Sequence, residues 1–242
     1  MKTAIKNFIN RLLWSDRPLA RILPPVLLSF LDRLATPPAG NSYHGSRAIV
    51  YDSVRLEQDW WHEEHRGLEK ILQSLAPFQN VLDVPSGTGR FFSIYSSLDS
   101  KVSGLDSSSE MTEKARLKAS ELGIEAHLEV GDARRMPFED SSFDIVVSFR
   151  FLQSIVSLSD AVDVIREIAR VSRQYAVLEL DVRVGNQERR FEPSKKAAMR
   201  NKLSLEEITS LLSGSNLRVL RVEGPFKKAS QSQYAFVCEK TA

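Results

Sequence analysis

The sequence predicts an α/β protein with a doubly wound, mostly parallel seven-stranded sheet and one antiparallel edge strand. Three observations carry that expectation. From residue 80 onward, short apolar runs alternate with helix-like segments, the pattern of a parallel sheet covered on both faces. The first run ends in a glycine turn, NVLDVPSGTGRFF over 80–92. Acidic residues close the next strands, and in such sheets ligands gather at the carboxyl ends of strands.

Strands are expected at 80–84, 101–106, 125–130, 143–149 and 174–181, with helices at 90–98, 109–121 and 160–172 and a short element near 152–157. Upstream, Leu56, Trp60, Leu68, Leu72 and Leu75 recur near a helical period, which predicts a helix over 54–75. Downstream, Ser204 and Glu207 have capping-box spacing, so a helix starts there. Two strands, 217–223 and 233–239, close the chain around a loop containing Gly224-Pro225, and their direct connection predicts an antiparallel pair.

Two regions are expected. Residues 1–42 form a basic, apolar helical extension that ends in the turn-forming TPPAGNS. Residues 43–242 form the main domain: 43–76 a helical entry or lid, 77–182 the core, 183–202 a basic insertion, and 203–242 the closing helix and strand pair.

With 242 residues, 42% apolar and 26% charged, the chain suits one globular α/β domain. The net charge of +2 gives no general case for nucleic acid, which is not expected as a partner. The single cysteine, Cys238, permits no internal disulfide, so a cytoplasmic setting is the default. The most apolar run, ILPPVLLSFL at 22–31, is short of a membrane span and is broken by Pro24-Pro25. The acid-free first 15 residues keep an organelle presequence open. No metal is expected.

At the strand ends, Gly87 and Gly89 allow close backbone approach to a ligand. Asp106, 23 residues after Asp83, is suited to ribose hydroxyls, and Asp132 to an exocyclic amine. Each has a plainer reading, as a turn, a helix cap or a solvated loop residue. Three acidic strand ends around one glycine turn make a nucleoside-type ligand the stronger reading.

Residues 81–91, 102–116 and 128–149, including GDARRMPFEDSSFDIVVS, resemble the class I S-adenosylmethionine-dependent methyltransferases, a Rossmann-like family. The likeness is greatest to the broad small-molecule, quinone and sugar group, and covers about 80–240. The resemblance implies S-adenosylmethionine as the cofactor, with Asp83, Pro85, Gly87 and Gly89 along its methionine and ribose. It also implies Asp106 and the neighbouring Ser107 at the ribose, and Met111 on the adenine. By the same resemblance Asp132 and Ala133 belong at the adenine edge, and Ser148 and Phe149 at the methionine end. A cofactor without pyrophosphate also accounts for Phe92 in the place of a third glycine, which argues against NAD or FAD. A subgroup resembling LDxPCGTGR carries proline at the position of Pro85.

The expected acceptor is a small molecule, lipid-linked intermediate or saccharide, methylated at oxygen; the alternatives are a catalytically silent methyltransferase-like protein for cofactor sensing or complex assembly, and an RNA-binding methyltransferase. The residues after strand four, Ser148-Phe149-Arg150-Phe151, lack the Asn/Asp-Pro-Pro-aromatic run of base-amine methyltransferases. Where the subgroup has RFLHHI, this chain has Arg150-Phe151-Leu152-Gln153-Ser154-Ile155, so the obvious histidine base is missing. Glu179 and Asp181 end strand five, and Asp181 is the candidate catalytic residue. Arg55 is a candidate partner for the cofactor carboxylate, with a surface ion pair as its alternative. His44, His62 and His65 lie upstream, on a lid or a solvated face.

Residues 1–35 hold six Lys/Arg against two Asp, and 183–202 hold seven against two Glu. An anionic acceptor fits the second surplus. Peripheral membrane contact through 1–35 fits the first, and plain solvation fits both.

Overall fold

The computed structural model describes residues 51–52, 55–56, 58–155, 157–183, 203–226 and 232–241. The helical extension at 1–42, the membrane-contact reading of 1–35, His44 and nearly all of the basic insertion lie outside them.

Seven strands form one sheet in the order β3-β2-β1-β4-β5-β7-β6. They are β1 (Asn80–Asp83), β2 (Lys101–Asp106), β3 (Ala126–Val130), β4 (Phe143–Ser148), β5 (Ser172–Asp181), β6 (Leu217–Glu223) and β7 (Gln233–Lys240). The helices are α1 (Asp59–Leu75), α2 (Phe92–Ser97), α3 (Ser109–Leu122), α4 (Leu158–Val171) and α5 (Leu205–Ser213), with a 3-10 turn at Leu152–Ser154. Strands β1 to β5 pair in parallel. The expected reversed strand is β7, antiparallel to both β5 and β6 and lying between them. Strand order reverses between β1 and β4, which puts a ligand crevice at their carboxyl ends.

Both sheet faces are covered. One core gathers Leu82, Val146, Leu178 and Leu180 under Val164, Ile165 and Ile168 of α4. The other gathers Val81, Ile145, Val147 and Val177 under Leu68, Ile71 and Leu72 of α1 and Phe92 and Tyr95 of α2. Each fully buried Leu or Ile contributes about 1.5–3 kcal/mol. Side chains alternate along a strand. Val81, Val147, Phe149 and Val177 are on the α1 face, so Asp83, Glu179 and Asp181 are there too.

Local signals place the helix ends. Ser108 caps α3 by accepting the Met111 N–H, and Gly123 ends that helix at φ 65°. The capping box at Ser204 and Glu207 is formed in both halves. Helix α1 begins later than its sequence pattern suggests. Trp61, Glu64, Leu68, Ile71 and Leu72 make its buried stripe, while Leu56 is exposed. Leu68 and Leu72 are buried as the pattern predicts, but Trp61 takes the place of Trp60 and the stripe includes a carboxylate, Glu64.

Val182 and Leu203 form an isolated parallel bridge, and the Arg183 N–H donates to the Leu203 carbonyl at 2.8 Å. The chain therefore departs at Arg183 and returns beside it at Leu203.

Candidate functional site

The ends of β1, β2 and β3 border a cleft of about 450 Å³. Val84, Pro85, Asp106, Ser107, Asp132 and Ala133 line it, and Phe151, Ser154 and Ile155 from the turn after β4 close its far side. The Val84–Pro85 peptide is cis.

Asp106 organises the turn. Its Oδ2 accepts the Gly87 N–H at 2.9 Å, and its Oδ1 accepts the Ser108 N–H at 2.9 Å. Gly87 (φ 54°) and Gly89 (φ 75°) take left-handed backbone conformations. A Cβ on Gly87 would meet nothing within 4 Å, so open space faces the ligand side of this turn. Beneath it, a Cβ on Gly104 would stand 2.8 Å from the Ser86 Cβ, so β2 must be bare for the turn to seat. Sequence reasoning missed Gly104, although a glycine inside an apolar strand is itself a sign of close approach.

Asp132 is exposed at the cleft edge and is engaged by Arg134, whose Nη2 donates at 2.7 Å and whose backbone N–H donates at 2.9 Å. The hydrogen bonds from Arg134 hold its carboxyl below the usual range. Arg134 also reaches Asp160 of α4, and went unnoticed in the sequence because its partner is 26 residues away.

Other expected residues stand apart from the cleft. Met111 is buried in the first turn of α3. Ser148 is wholly buried, and Phe149 packs edge-on against Phe91 at 5.5 Å on the α1 face. Arg55 stacks over the Tyr51 ring at 3.9 Å and donates to the Tyr51 carbonyl at 2.6 Å. Asp181 is buried and accepts from the Ser232 hydroxyl at 3.3 Å. His62 contacts the Leu56 carbonyl, and His65 lies against Phe91 with its pKa lowered, chiefly by burial.

A second polar region was not legible in the sequence. Glu64 projects from α1 with no exposure, pairing with Arg90 at 2.7 Å and Arg150 at 3.4 Å. Arg90 lies 3.5 Å over the Trp61 ring and also bonds the Trp61 carbonyl, while Arg150 lies 4.6 Å over Trp60. Arg150 has φ 61°, uncommon for a side chain of its size, and in that conformation its N–H donates to Glu179 Oε2 at 2.7 Å. Gln153 Nε2 reaches the same Glu179 oxygen at 3.4 Å. Burial pushes the Glu179 carboxyl up to about 8, reinforced by Glu64 and opposed by Arg150.

The fold is that of the class I S-adenosylmethionine-dependent methyltransferases, as the sequence resemblance implied. More particularly, residues 81–174 match the family described as a methyltransferase domain. A phosphatidylethanolamine N-methyltransferase from Cereibacter sphaeroides is 42% identical over 96 residues, covering 39% of this chain and 45% of that protein. A demethylmenaquinone methyltransferase from Thermotoga maritima is 39% identical over 101 residues, 40% of each chain. The chain thus spans under half the length of these relatives. Among solved structures, an S-adenosylmethionine-dependent methyltransferase from Clostridium acetobutylicum superposes with TM-score 0.61 at 14% identity, covering 81% of this chain and 98% of that one. The cofactor implied by the family is S-adenosylmethionine.

The residues present fit such a group. Beside the glycine turn, Asp83 Oδ2 and Ser86 Oγ are buried without a hydrogen-bond partner. A cofactor with an ammonium and several hydroxyls supplies the missing donors. Burial raises the Asp83 carboxyl to about 8, with the charge of Asp106 adding to the effect and the neighbouring Tyr95 hydroxyl opposing it.

Proposed function

We propose that this chain transfers a methyl group from S-adenosylmethionine to the oxygen of a small-molecule, lipid-linked or saccharide acceptor. The observation that carries the reading is the Asp106 carboxylate, which lines the cleft while holding Gly87 and Ser108 in place. That arrangement joins a ribose-binding acid to the turn over which the methionine part lies.

In this reading Asp106 and Ser107 hold the ribose, and Asp132 and Ala133 meet the adenine edge. Asp83, Pro85, Gly87 and Gly89 border the methionine portion. Met111 supports the adenine wall from behind, and Ser148 and Phe149 support the methionine end. The bound cofactor supplies an electrophilic methyl group. The protein's own contribution is to hold a nucleophile in line with it and to exclude water. The basic stretch 183–202 suits an anionic part of the acceptor distant from the reacting atom.

Calorimetry with S-adenosylmethionine tests the cofactor half. Wild type should bind, and Asp106→Ala should bind at least about tenfold more weakly, the loss of one to two hydrogen bonds to a charged group. Equal affinity of the two proteins overturns the assignment.

A further inference from the structure

We propose that Asp52 is a positioning residue for the cofactor, acting through the Thr88 hydroxyl to hold the tip of the glycine turn beside the amino-acid end of S-adenosylmethionine. The inference rests on the cofactor reading above and adds to it a residue from outside the sheet.

Thr88 stands between Gly87 (φ 54°) and Gly89 (φ 75°), so it carries the only side chain at the tip. Glycine loses more backbone freedom on ordering than any other residue, so such a tip needs contacts to fix it. Three are present. Asp106 Oδ2 accepts the Gly87 N–H at 2.9 Å, and the Ser86 carbonyl accepts the Gly89 N–H at 2.9 Å. The third comes from upstream: Asp52 Oδ1 accepts the Thr88 hydroxyl at 2.9 Å, across 36 residues of chain. Thr88 is 4% exposed, so loss of this partner would strand its hydroxyl away from solvent.

Asp52 is itself held. Its carbonyl accepts the N–H groups of Arg55 and Leu56, both at 2.9 Å. Arg55 donates back to the Tyr51 carbonyl and lies over the Tyr51 ring, and Tyr51 meets the Trp61 ring edge-on at 5.9 Å. Trp61 in turn carries the guanidinium of Arg90, the residue that follows Gly89. The chain leading into α1 therefore holds the glycine turn on both sides of Gly89. Arg90 is held by Trp61 and Glu64, and Thr88 by Asp52. Of these contacts, the one from Asp52 reaches the tip itself. Lys114 of α3 is tied to the same point, because the Asp52 charge favours its ammonium against the burial that disfavours it.

Asp106 and Asp52 thus fix one turn from two directions. In the cofactor reading, Asp106 anchors it where the ribose is bound, and Asp52 anchors it where the methionine portion passes. Their effects are separable by ligand. Loss of Asp106 weakens every nucleoside ligand, whereas loss of Asp52 weakens those that carry the amino-acid chain.

The test is calorimetry on the full chain with S-adenosylmethionine and with methylthioadenosine, which keeps the nucleoside and lacks the amino-acid chain. Asp52→Ala and Thr88→Val should each bind S-adenosylmethionine about tenfold more weakly, the scale of one hydrogen bond to a charged group. The double variant should lose no more than either single variant, because both remove the same bond. Thr88→Ser, which restores the hydroxyl, should bind as wild type does. All four should keep wild-type affinity for methylthioadenosine, an outcome that a general loosening of the fold would not give. Wild-type affinity for S-adenosylmethionine in Asp52→Ala overturns the assignment and leaves the cofactor reading intact. So do losses that multiply in the double variant, or a Thr88→Ser as weak as Thr88→Val. Equal weakening toward both ligands overturns the placement at the amino-acid end. If Asp52→Ala does not fold, Thr88→Ser against Thr88→Val decides alone. If wild type binds neither ligand, the cofactor reading falls and this inference with it.

Discussion

Asp106 and Gly87 are joined across two strands: the carboxylate that ends β2 accepts the N–H of a glycine in the turn after β1 at 2.9 Å. A neutral amide at 106 keeps the shape but lets the Gly87 N–H face either an oxygen or a nitrogen. Asp106→Asn should therefore weaken S-adenosylmethionine binding less than Asp106→Ala does. Parallel calorimetric titrations of the two variants check the order.

Gly87 separates conformation from space. A methyl group there meets no atom within 4 Å, yet φ is 54°. Gly87→Ala should cost roughly 1 kcal/mol through backbone strain alone. Gly104→Ala has ordinary φ but drives a Cβ to within 2.8 Å of Ser86. It should shift the turn and lower cofactor affinity as well as stability. Denaturant melts beside calorimetry distinguish the two.

The Glu64–Arg90 pair is buried on both sides. Arg90→Leu leaves Glu64, among the described residues, with the longer contact to Arg150, and should destabilise the fold by about 3–5 kcal/mol. Adding Glu64→Leu should restore much of that loss, because the stranded charge is then gone. Chemical unfolding of the two single variants and the double variant measures the coupling.

Asp83 and Glu179 each have a folded-state carboxyl pushed up to about 8. A carboxyl whose pKa is higher folded than unfolded binds more protons in the native state between those two values. Its contribution to stability is complete below the unfolded pKa and falls as pH rises toward 8. The melting temperature should decline from about pH 5 to about pH 8. Glu179→Gln, which has no proton to lose, should flatten the decline. Melting curves across that range provide the check.

Elements with local signatures could be read directly from the sequence. The strands from 80 to 181, the Ser204–Glu207 capping box and the acidic strand ends all depend on short-range periodicity or spacing. The cleft also emerged, because the ends of consecutive parallel strands must lie together. The Glu64–Arg90–Arg150–Glu179 region did not. Its members come from separate elements far apart in the chain, and a buried glutamate on a helix looks in the sequence like one turned to water. Asp181 and Glu179 share a face, so sequence parity could not separate them; their surroundings do, with Glu179 beside Gln153 and Asp181 beside Ser232.

Strand β6 joins the sheet only through β7, the later strand in the chain. During synthesis, β1 to β5 are therefore complete while β5 still presents an open edge. Only when residues 233–240 emerge is that edge sealed and β6 captured. Before then the open edge offers itself to other extended chains, so the interval is one of exposure to misassembly. The last strand thus closes the sheet in time as well as in space.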